Sequence, residues 1–171
     1  MAKNAMHDAM HDAMQAAIPN PTLKPLSILV GEWHSVGTHP LLPDTLQGPT
    51  VFEWLAGGAF LMMYSEIEEP GVPSAIAIFG SDEATEEFYM LSVDARGVSR
   101  KYEMSLRDNI WKLWRNAPDF SSRFTGTFVD NGDTIIGVWE LLEADSTWTR
   151  DLELSYTRVK ESRSEAMALQ D

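Results

Sequence analysis

The 171-residue sequence contains no cysteine. That excludes a disulfide frame, a thiolate nucleophile and any cysteine-ligated metal. Bases are scarce, 13 against 26 acids, and the net charge is −13. Without a run of Lys or Arg the chain has nothing to offer a phosphate backbone or an anionic lipid surface, so neither nucleic acid nor membrane is expected as a partner. Long hydrophobic runs are missing too. The longest, around residues 59–63, falls far short of the ~20 residues that cross a bilayer. The first residues lack the basic and then continuously apolar order of a secretory signal, and a cytoplasmic protein is expected. Neither Gly-x-Ser-x-Gly nor a glycine-rich phosphate loop occurs. No catalytic machinery, metal site or cofactor is therefore assigned.

What is present is a long series of β-type runs. Hydrophobic residues make up 44% of the chain and aromatics 10%, enough for one packed core. Residues 1–18 are rich in Ala and Met, with good helix propensity. IPNPTLKP then places three prolines within seven residues, which is expected to stop any helix, and an apolar turn follows at Leu26–Val30. From Gly31 onward, short runs such as EWHSVG, TVFEWLA and NIWKLWR alternate with turn chemistry, including Gly57-Gly58 and Asp130-Asn131-Gly132-Asp133. About ten strands result. No segment between them is long enough for a helical crossover, so the sheet must be antiparallel, and a meander of that length closes into a barrel to remove its edges. The expected fold is all-β: a single antiparallel, up-and-down barrel over residues 23–160, with an N-terminal helical arm over 1–22 and a polar tail over 161–171.

Period two assigns faces on the clearest strands. In VSRKYEMSL, Arg100, Tyr102, Met104 and Leu106 point inward. In TWTRDLELSYTRV, Trp148, Arg150, Leu152, Leu154, Tyr156 and Arg158 share the inner face. AFLMMYSEIE is apolar on both faces and cannot be phased.

Gly31-Glu32-Trp33 after a short turn, with Arg158 on the final strand, resembles the lipocalin and calycin pattern. The resemblance implies that Trp33 lies in the barrel floor with Arg158 packed across its ring, a cation over an indole face. LVGEW, FEWLAGGAFL, DARGVSRKYEMSL, RFTGTFVDNG and WTRDLELSYTRV together resemble a bacterial family of small calycin-like barrels without an assigned function. The layout is also similar to nitrobindin-type haem barrels and to fatty-acid-binding calycins. Nitrobindins take their haem ligand from a C-terminal histidine, and this chain has none after His39.

An inward arginine needs an acid or waits for an anion. Glu53 is the internal candidate. The resemblance to fatty-acid-binding barrels implies capture of a carboxylate by arginines and a tyrosine. The expected function is binding of a small apolar or amphipathic, acidic molecule, oriented by Arg100, Tyr102 and Arg150 and walled by Met104, Trp111 and Trp139. The alternatives are an enzyme using Tyr102 as acid or base in the same cavity, and a haem or metal site at His39. The repeat AMHDAMHDAM puts His7 and His11 at i, i+4 beside an Ala/Met stripe, and a docking or homodimer arm is expected there ahead of a metal site.

Overall fold

The computed structural model describes residues 17–69 and 71–160. The AMHD repeat, most of the 1–22 arm and the 161–171 tail lie outside the described residues. Ten strands follow in order: β1 (Gly31–Thr38), β2 (Leu46–Leu55), β3 (Phe60–Ser65), β4 (Ala75–Ser81), β5 (Phe88–Asp94), β6 (Ser99–Arg107), β7 (Ile110–Arg115), β8 (Ser122–Val129), β9 (Thr134–Leu142) and β10 (Trp148–Arg158). Each pairs antiparallel with its sequence neighbours, and β1 pairs with β10, so the sheet closes as a barrel. The antiparallel barrel expected from the turn spacing is the fold.

The proline-rich entrance differs from expectation. Pro21–Leu29 forms a 3₁₀ helix with Pro25 inside it. Proline's fixed φ suits 3₁₀ geometry, and Pro21 stands at the start, where no backbone donor is needed. Asn20 caps the helix, its side chain accepting from the Thr22 N–H at 3.0 Å. The helix plugs one end of the barrel through Leu23, Leu26 and Leu29, all fully buried.

Below the middle of the barrel the interior is solid. Phe52, Phe79 and Phe124 surround Trp111, with ring centroids 6.1, 6.1 and 5.0 Å from the indole. Gly126 and Gly137 make this possible: a Cβ on either would lie within 3 Å of the Phe124 ring. The inner faces of β6 and of most of β10 follow period two, with Tyr102, Met104, Leu154 and Tyr156 buried.

Candidate functional site

The floor is built by the two ends of the barrel sequence. Trp33 on β1 pairs with Arg158 on β10. Trp33 is buried, and its Nε1–H donates to the Leu29 carbonyl at 2.8 Å. The Arg158 guanidinium lies 4.1 Å from the Trp33 ring centre. It donates to the carbonyls of Val30 at 2.6 Å, Ile28 at 2.7 Å and Gly132 at 3.3 Å, and Asp133 stands 3.3 Å from its Nε. Charge, ring face and three carbonyls are thus satisfied together, and this end is sealed.

The opposite end is hollow. A cavity of about 220 Å³ opens among Tyr102, Trp111, Trp139, Met63, Met90 and Leu152. Tyr102 and Trp139 meet edge to face at 5.5 Å. One wall carries a hydroxyl chain, with buried Ser35 Oγ 2.7 Å from buried Thr50 Oγ1 and Thr50 Oγ1 3.0 Å from half-buried Ser65 Oγ. Ser122 donates to the Tyr102 hydroxyl at 3.4 Å. Burial holds the Tyr156 phenol well above its usual pKa, so it is neutral at physiological pH. Among the described residues, no carboxylate or imidazole lines this space.

Two buried donors lack a partner: Trp111 Nε1, on the ring that closes the bottom of the cavity, and Arg115 Nε, at the end of β7 toward the mouth. Arg115 ends β7 beside Ser122 of β8, whose hydroxyl touches Tyr102. Arg100, which begins the inner face of β6, lies at the same mouth with its guanidinium 4.2 Å from the Phe120 ring centre. Neither Arg100 nor Arg115 has an ion-pair partner among the described residues. Sequence reading missed Arg115, although NIWKLWR carries the signal: Trp111, Leu113 and Arg115 are two apart and share a face.

Five residues depart from the sequence expectation. Arg150 lies on the outside, exposed and paired with Glu153. A register shift between Arg150 and Leu152 inserts an extra residue, which turns Trp148 and Arg150 to the outer face while Leu152 onward remains inside. Trp148 accordingly packs against Arg123, an outward residue bonded to Glu140. Met104 is buried in the packed core and does not line the cavity. Glu53 is exposed beside Met62 and partners no interior arginine. His39 turns to the outer rim: its Nδ1 accepts from the Leu41 N–H at 3.1 Å, which leaves the proton on Nε2, 3.1 Å from Asp151. Both ring nitrogens are therefore engaged, and among the described residues no three metal-ligating side chains cluster.

The barrel with one plugged end and one hollow end defines a closed antiparallel β-barrel with an internal pocket. It is similar to the crystal structure of Rv2717c from M. tuberculosis, with a TM-score of 0.59 and 15% identity, over 82% of this chain and 98% of that one. At that identity the likeness shows the fold alone. No family model matches the chain, and no curated protein matches it in sequence. Among the described residues, no helix is long and apolar enough to cross a membrane.

Proposed function

We propose that this chain is a calycin-like binding module for a small amphipathic acid, its apolar body held in the cavity and its anionic group at the mouth. The observation that carries this reading is the pair of buried, unpartnered donors, Trp111 Nε1 and Arg115 Nε. A buried donor without an acceptor costs about 1–3 kcal/mol, so Trp111 in the cavity wall calls for a ligand acceptor, and Arg115, one strand step beyond the lining residue Leu113, calls for another toward the mouth. Arg115 and Arg100 supply positive charge at the mouth of a chain that is otherwise strongly acidic. Arg meets a carboxylate with two parallel hydrogen bonds. The Tyr102 hydroxyl stands beside them as a third donor.

Cavity size narrows the class. Pockets for drug-sized ligands measure roughly 300–1,000 Å³, and 220 Å³ is smaller. A single-ring or short-chain acid fits, whereas a long acyl chain would have to leave most of its length in water. The aromatic wall of Tyr102, Trp139 and Trp111 favours a planar ring.

Intrinsic tryptophan fluorescence or calorimetry tests this with benzoate-type acids, their neutral amides, hexanoate and palmitate. The acid should bind at least tenfold tighter than its amide. Arg115→Met should erase that difference, and Arg150→Met should leave it intact. Equal affinity for acid and amide would defeat the reading.

A further inference from the structure

The outer face of β3 to β5 carries a continuous set of apolar side chains. Its side chains form two rows across the strands. One row runs Val51, Tyr64, Ile76, Val93 and Ser99, each the register partner of the next. The neighbouring row runs Glu53, Met62, Ile78, Leu91 and Lys101 in the same way. Tyr64, Ile76, Leu91 and Val93 are 37–43% exposed. This is why AFLMMYSEIE reads as apolar on both faces. A strand apolar on both faces is normally covered on both, yet in a single-walled barrel only the inner face has a core.

We propose that this face is a homodimer interface, two copies packing sheet on sheet about a two-fold axis parallel to β4. The charges choose the axis. The second row begins with an acid on β2 and ends with a base on β6, with Ile78 at its centre. An axis along β4 maps each row onto its own reverse, so Ile78 meets Ile78, Met62 meets Leu91, and Glu53 faces Lys101 twice. An axis across the strands would instead set Glu53 against Glu53 or, midway between the rows, against Val51, and Lys101 against Lys101 or Ser99. A two-fold interface must be complementary to itself, and only the axis along β4 brings the two opposite charges together. Barrel walls are convex, so close contact is confined to β3, β4 and β5, and the charged pair sits on the shoulders as an orienting rim. The contact is therefore small and the dimer weak. A net charge of −13 opposes association further.

Sedimentation equilibrium of the full chain between about 10 and 500 µM, in moderate salt, is the test. The mean mass should rise toward that of a dimer. Ile78→Glu and Leu91→Glu should hold it at the monomer value with unchanged circular dichroism, since both side chains point away from the core. Lys101→Glu should weaken association several-fold, and adding Glu53→Lys to it should restore association. A monomer at every concentration would overturn the proposal. So would a dimer indifferent to Leu91→Glu but abolished by removing residues 1–16, because the contact would then lie in the arm. Ligand affinity at the mouth is measured separately, so failure here leaves the binding reading untouched.

Discussion

Arg158 lies over Trp33, its guanidinium 4.1 Å from the ring centre, while its nitrogens reach the carbonyls of Ile28 and Val30. The last strand thereby holds the N-terminal 3₁₀ plug on the first. Trp33→Ala should cost roughly 3–5 kcal/mol through loss of burial and the cavity left behind. Arg158→Met keeps most of the packing but abandons three carbonyls, at about 1–3 kcal/mol. Urea unfolding should rank the two in that order, and Arg150→Met, on the outer surface, should cost within about 0.5 kcal/mol.

Thr50 is fully buried and joins Ser35 to Ser65. Thr50→Val preserves shape and deletes the joint, leaving the buried Ser35 hydroxyl and the half-buried Ser65 hydroxyl to find new partners, so a loss of about 1–3 kcal/mol is expected. Adding Ser35→Ala removes one of the stranded groups. The double variant should be less destabilised than the sum of the singles, and a double-mutant cycle of unfolding free energies would measure the difference.

Gly137 allows the Phe124 ring to lie against the wall, where a Cβ would stand 2.4 Å from the ring. Gly137→Ala should push Phe124 toward Trp139, now 5.2 Å away, and into the cavity. The expected signature is a stability loss of about 1–3 kcal/mol from overpacking, together with an altered near-ultraviolet circular dichroism band and weaker ligand binding.

Trp111→Phe separates the indole's two roles. The Nε1 donor has no partner in the protein, so its removal relieves an unsatisfied group in the free barrel. A ligand acceptor would lose its bond. Affinity should fall by about tenfold, the worth of one hydrogen bond of ~1.4 kcal/mol, while thermal stability falls less than for Trp33→Ala. Unchanged affinity would place the ligand away from Trp111.

Asp94 sets an acid limit at the β5–β6 turn. The Arg96 guanidinium, first, and then the N–H groups of Arg96 and Val98 hold its carboxylate down to about 2. A carboxylate with a depressed folded pKa stabilises above its unfolded value near 3.9 and loses that contribution as pH falls through its folded value. Carbon-detected titration should show Asp94 protonating near pH 2, well below the unfolded value, and Asp94→Asn should remove this part of the acid dependence of stability.

Pattern and spacing alone determined the all-β class, the antiparallel pairing and the strand number, because turn residues and period two are local properties of the chain. They also placed Arg100, Tyr102 and Met104 on one inner face, since β6 runs without interruption. Tertiary structure decided the rest. A single extra residue in β10 sends Arg150 outside, and no local signal in TWTRDLELSYTRV marks where the register slips. Whether Met104 lines space or fills it depends on how far each strand reaches toward the plug, a relation among strands distant in sequence. Arg115 was within reach of the pattern, two residues from Leu113, but its importance arises only when β7 and β8 bring its Nε into the wall beside Ser122 without a partner. The 3₁₀ helix through Pro25 forms because the open barrel end offers Leu23, Leu26 and Leu29 a place to be buried, and that burial outweighs a helix propensity which, read alone, points the other way.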